Sequence, residues 1–125
     1  MNAELDIQKA VFAKLGTLSV PVYDAVPDNA KPPYVVIGDD TLAPFDTDGA
    51  SGFEATISIH TWSTYRGRKE IKEMQGAIYD LLHRAQLTFS GYTFLGCDSE
   101  LSESFIDADG VTRHGIQRFR IFIRE

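Results

Sequence analysis

One cysteine, Cys97, stands alone among 125 residues, so no disulfide can form within the chain and no multi-cysteine metal knuckle can be built. A reducing compartment fits this. Histidine is equally sparse. His60, His83 and His114 are the whole complement, and no two of them have the spacing of neighbouring ligands on one helix or strand, which argues against a metal centre. No stretch approaches the roughly 20 consecutive apolar residues of a membrane-spanning helix. Residues 1–9 carry Glu4 and Asp6 where a secretory signal would carry basic side chains, so the expectation is a protein made and kept in the cytoplasm, away from membranes. Basic residues are the minority, 12 against 18 acidic, and the net charge of −6 repels a phosphate backbone unless the cations gather on one face. Sequence-independent nucleic-acid binding is therefore disfavoured. DNA passing an acidic wall without sticking to it remains compatible with this charge.

What is present reads as one globular domain over residues 1–125, since 43% hydrophobic with 24% charged residues suffices for one core and would be thin for two. Leu5, Ile7, Ala10, Val11, Ala13, Leu15 and Leu18 include the three- and four-residue spacings of a short amphipathic helix, ended by Gly16 and Pro21. Residues 20–26 form a short extended piece, Pro32-Pro33 marks a turn, and Tyr34 to Gly38 reads as a buried strand. From Asp39 to Gly52 the chain is polar and rich in breakers, with Asp39, Asp40, Asp46 and Asp48 beside Pro44, Gly49 and Gly52. It is predicted to be a long loop, hence functional or mobile. Phe53, Ala55, Ile57 and Ile59 alternate with Glu54, Thr56, Ser58 and His60, the period of a strand with one face inward. Ile71, Met74, Ile78, Leu81, Leu82 and Ala85 make the clearest helical stripe. Two strands are expected, at 88–97 interrupted by a turn at Ser90-Gly91 and at 101–106, then a turn at Asp107-Ala108-Asp109-Gly110 and a closing strand from Gly115 to Arg124. The fold class is α+β, a mostly antiparallel sheet packed by two main helices in a single pair of layers.

The residues supply little for catalysis. There is no G-x-S-x-G elbow and no phosphate-cradling glycine loop, and a cofactor has no motif to hold it. Cys97 paired with a histidine is the best nucleophile on offer, against the plainer reading of a small buried hydrophobe. Asp107, Asp109 and Gly110 begin like a calcium loop but lack its later ligands, and a tight turn explains them as well. Asp98, Glu100 and Glu103 fall on alternate sides of a strand, as solvated carboxylates do. Arg66, Arg68 and Lys69 stand at a helix N-terminus, where the macrodipole prefers negative charge. They either extend into water or bind acidic groups of a neighbour, for which the Asp39, Asp40, Asp46, Asp48 segment is a natural complement. Arg118 and Arg120 share the second face of the last strand with Ile116 and Phe122. Tyr65, Phe45 and Phe53 fit either a partner contact or the core.

Val22-Tyr23-Asp24 with Val26-Pro27, Pro33-Tyr34-Val35-Val36-Ile37-Gly38, His60-Thr61-Trp62-Ser63 with Gly67-Arg68-Lys69-Glu70, Leu82-His83 with Leu87, and Asp109-Gly110 with Thr112-Arg113-His114-Gly115 and Arg118-Phe119 follow one another in an order and spacing that span the chain. In these the sequence resembles the small tail-completion, or tail-terminator, proteins of long-tailed bacteriophages and prophages. The resemblance implies a non-enzymatic virion protein without cofactor or metal, assembled in the host cytoplasm and kept in the virion tail. It would cap the head-proximal end of the tail tube, stop polymerisation and present a surface to the head connector. Its partners would be copies of itself in a ring, commonly a hexamer, the tail tube protein and a head connector or head-closure protein, with DNA only as passing cargo. Arg66, Arg68, Lys69, Arg118, Arg120 and the four aspartates are the candidate interface residues. Alternatives are another neck or head-closure component of the same particle and, from a different class, a small-molecule-binding module or small hydrolase.

Overall fold

In the computed structural model, residues 2–46 and 48–125 are described; Met1 and, within the predicted acidic loop, Thr47 lie outside them. The order is α1 (Ala3–Leu15), β1 (Val22–Tyr23), β2 (Tyr34–Pro44), β3 (Gly52–Ser63), α2 (Lys69–Leu82), β4 (Thr93–Ile106) and β5 (Arg113–Arg124). The strands form a five-stranded sheet in the order β1-β2-β3-β5-β4, antiparallel except for the short β1–β2 pair. Both helices pack on one face of it, α2 across β3, β5 and β4 and α1 beside α2 over β2. This is the α+β pair of layers expected from the sequence.

Local chemistry explains the helices. Asn2 caps α1, its Oδ1 accepting from the Leu5 amide at 3.1 Å, while Glu4 and Asp6 in the first turn and Lys14 in the last suit the macrodipole. The buried stripe is Ala3, Ile7, Val11 and Leu15, every fourth residue. Leu5, expected within the apolar set, is 45% exposed instead, because it is half a turn off that stripe. In α2 the stripe is Ile71, Met74, Gln75, Ile78 and Leu82. Ala85 does not extend it, since the helix ends at Leu82 and Arg84 turns left-handed at φ 55°.

The core lies where these stripes meet the inward residues of β3 and β5. Ile57, Ile59, Phe119, Ile121 and Ile123 are at most 1% exposed and lie against Val11, Leu15, Ile78 and Leu82. Burying each such side chain is worth about 1.5–3 kcal/mol. One end of this layer is polar. Gln117 Nε2 donates to the Gln75 carbonyl at 2.9 Å, Gln75 Nε2 donates to the Glu103 carbonyl at 2.9 Å, and the Ser63 hydroxyl donates to Glu70 at 2.7 Å. These bonds fix the height of α2 over the sheet, because any slide would leave buried polar groups unpaired.

Two predictions about the strands need correction. The stretch Asp39–Gly52 is not one loop. β2 runs to Pro44, so Asp39 and Asp40 lie in a strand, and only residues 45–51 connect it to β3. A bulge between Ile37 and Asp40 sets two β2 residues against one of β3, so the inward/outward alternation is broken where the aspartates stand. Likewise, the expected strands at 88–97 and 101–106 are a single β4 from Thr93 to Ile106, carrying irregularities at Phe94/Gly96 and Ser99/Leu101.

Gly115 faces α2 so closely that a Cβ there would meet the Gln75 amide at 2.3 Å, whereas a Cβ on Gly76, exposed in mid-helix, would meet nothing within 4 Å. Gly115→Ala is therefore expected to destabilise the protein by about 1–3 kcal/mol. Gly76→Ala should stabilise it by about 0.5–1 kcal/mol. Urea unfolding midpoints of the two variants would shift in opposite directions.

Candidate functional site

Because β3 and β5 pair in register from Gly52↔Arg124 to Ser63↔Arg113, every residue facing away from the helices on one strand has a same-face neighbour on the other. The helix-free face that results has three zones. At one end Trp62 and His114 stack at 3.7 Å and 14°, Phe105 packs on His114 at 5.0 Å, and Tyr34 and Tyr23 continue the aromatic layer. In the middle Arg120 contacts both Glu54 and Glu100, and Arg118 lies 3.9 Å from Glu100. At the far end Phe45 meets Phe122 edge-on at 5.1 Å.

The sequence reading offered Arg118 and Arg120 as contacts for an acidic neighbour. Within the chain they already face carboxylates. Glu100 is brought to them by the irregularity at Ser99/Leu101, and Glu54 by the β3–β5 register. Glu100 is thus not merely solvated, as alternation along an unbroken strand would imply. These side chains are about a quarter to a half exposed, so water screens the pairs, and each is worth about 0–1 kcal/mol.

The other candidates lie elsewhere. Arg66 and Arg68 occupy the exposed turn before α2, where Gly67 takes φ 93°, and Arg68 is the N-cap without a side-chain capping bond. Lys69 begins the helix and reaches Glu73 at 3.9 Å, an exposed i,i+4 pair. Tyr65 beside them is 51% exposed. Asp39 and Asp40 are exposed on the part of β2 that β1 leaves unpaired, and Asp46 and Asp48 lie in the following turn, with Asp46 accepting from the Gly52 amide at 3.4 Å. Among the described residues, no ion pair joins the 66–69 group to these aspartates.

Phe53 lies partly buried against the core beside Tyr92. Cys97 is 1% exposed, and burial first, then the neighbouring Asp98 carboxylate, pushes its thiol up to about 12. The groove beside it, formed by residues 84–86 and 94–98, contains no histidine. His83 caps α2 and uses Nδ1 to accept from the Ser99 amide at 3.0 Å. Asp109 accepts from the Thr112 hydroxyl and from the Thr112 and Val111 amides, which hold its carboxyl below the usual range and close the turn. The groove of about 230 Å³ between Leu18, Pro33 and Met74 offers two carboxylates, Glu70 and Glu73, and the former is engaged by Ser63.

Sequence spacing missed one constellation. His60 Nδ1 and His114 Nε2 are 2.8 Å apart although 54 residues separate them. The signal was indirect, since it required the β3–β5 register.

The fold is thus a two-layer α+β build whose helix-free face mixes aromatic and charged side chains. The chain matches the model of the tail completion protein gp17 family over residues 3–124 and belongs to that family. It is 36% identical over 91 residues to the tail completion protein gp17 of Bacillus phage SPP1, covering 73% of this chain and 67% of the phage protein. The solved structure of bacteriophage SPP1 gp17 superposes with a TM-score of 0.62 at 30% identity, over 95% of this chain and 89% of that one. A chain in the virion of a native gene transfer agent particle gives a TM-score of 0.88 at 22% identity, over 98% and 97%, a likeness of fold. The protein is thereby a structural tail protein of phage type.

With its thiol buried and held protonated, native Cys97 should resist iodoacetamide at pH 8 and react fully once the chain is unfolded, as read by intact mass. Rapid alkylation of the native protein would contradict this placement.

Proposed function

We propose that this chain acts as one domain that caps the head-proximal end of a long phage tail tube, ends its polymerisation and joins it to the head connector. It does so as a ring of about six copies, without catalysis or cofactor. Assembly takes place in the host cytoplasm, and the protein stays in the virion tail. The observation that carries the reading is family membership over residues 3–124, supported by two unlike charged patches that no ion pair joins among the described residues.

A ring is closed by a heterologous contact, in which each subunit offers one patch to the neighbour on its left and a different one to the neighbour on its right. The basic turn of Arg66 and Arg68 with Lys69 is one such patch, and the acidic edge of Asp39, Asp40, Asp46 and Asp48 is the other. Arg118 and Arg120 are less suited to this contact, because each would have to give up or share Glu100. An acidic edge turned toward the lumen would instead repel DNA and keep the channel free, and then the ring would close through other residues.

Light scattering over a range of concentrations, at low and high salt and with separately prepared tail tubes, tests the reading. A ring of about six subunits is expected, formed alone or only on tubes, and weakened as salt screens the exposed charges. Arg66→Glu with Arg68→Glu should abolish the ring while leaving circular dichroism unchanged. A wild-type monomer that ignores tubes would overturn the capping function. A ring that persists in the double variant would move the contact away from this turn.

A further inference from the structure

On the helix-free face His60 is wedged between β2 and β5. A Cβ on Gly38 would lie 2.5 Å from His60 Cδ2 and 2.7 Å from Nε2, so only the bare glycine backbone leaves room for the ring. On the other side His60 Nδ1 meets His114 Nε2 at 2.8 Å, with the rings 5.0 Å apart at 30°. His114 is sandwiched in turn by Trp62 and Phe105. We propose that His60 and His114 form a proton-operated latch that holds the Trp62 stack closed while the pair carries at most one extra proton and releases it when the second proton binds. The inference is independent of the ring-forming role.

The proton inventory gives the mechanism. Asp107 Oδ1 lies 3.8 Å from His114 Nδ1 and favours a hydrogen on that nitrogen. His114 Nε2 is then the acceptor, and His60 Nδ1–H donates to it. One added proton leaves the pair a single acceptor nitrogen, so the N–H···N bond persists and is strengthened by the charge. A second proton takes that last acceptor. All four ring nitrogens then carry hydrogen, no acceptor remains, and two imidazolium rings face each other.

The charged groups around the pair are Asp107 from the β4–β5 turn and Glu103 from β4, both of which favour the charged His114; β2 contributes the Gly38 backbone and, through Trp62, the Tyr34 ring. Burial and the facing His60 outweigh them, so the His114 imidazole loses its proton more readily than an ordinary histidine. The unfolded chain therefore takes up more protons than the native one just below the ordinary value of 6.5. The His114 contribution to native stability is full above that value and is lost as pH falls from it through the lower native one.

Trp62, the sole tryptophan, reports on the latch because it stacks on His114, and His83 serves as a reference histidine outside the pair. Histidine ring resonances and Trp62 emission would be followed on the full chain from about pH 8 to about pH 4.5. The expected result is that His60 and His114 titrate together in two steps separated by more than about tenfold in proton affinity, with the Trp62 emission change falling on the second. His60→Asn keeps an acceptor near His114 and removes the second charge, and should collapse the two steps into one. Independent single steps for the two histidines in the wild-type protein, or Trp62 emission unchanged across the range, would overturn the proposal whether or not the variant folds.

Discussion

The twelve-residue antiparallel pairing of β3 with β5 is the constraint from which the other features follow. Its period of two sends Ile57, Ile59, Phe119, Ile121 and Ile123 to one side and Trp62, His60, Arg118, Arg120 and Phe122 to the other. A slip of one residue would put the aliphatic set in water and the arginines under α2, so core burial fixes the register more firmly than the hydrogen bonds do. Once that register is set, the face away from the helices has no freedom left in its composition. The aromatic end, the charged middle and the Phe45–Phe122 end are consequences of where the core residues had to go.

The same constraint explains what could be read from the sequence. β3 was legible because its alternation is unbroken, and α2 because Ile71, Met74, Ile78 and Leu82 repeat every three or four residues. The second half of β2 was not, because its edge position exposes Asp39, Asp40, Thr41 and Ala43 and the bulge between Ile37 and Asp40 breaks the apolar period. β4 looked like two strands because Glu100 interrupts the alternation at a bulge, and Leu95 and Leu101 on either side are left exposed. Family resemblance was carried by short motifs spread over turns, helix ends and strands, from Val22-Tyr23 in β1 to Arg118-Phe119 within β5.

The candidate site was legible only in part. Charged residues were easy to nominate, because they stand in turns and on an exposed strand end. What spacing could not disclose is pairing between distant strands. Arg120 with Glu54 and Glu100, and His60 with His114, are contacts across the sheet, and each exists only through the β3–β5–β4 register. Gln75 and Gln117 were missed for the opposite reason, since isolated glutamines look like surface residues until a helix carbonyl or a strand carbonyl is found within reach.

Both borders of the sheet are spoiled for strand addition. β4 is kinked twice in fourteen residues, and the unpaired part of β2 begins at a bulge and ends at Pro44, which has no N–H to offer. A neighbour that cannot extend the ladder has to be met side chain to side chain. Such contacts are judged by shape and charge and not by the ladder's hydrogen bonds. A ladder that resists extension removes one route, the pairing of sheet edge with sheet edge, by which copies of a β protein template open-ended fibres of themselves.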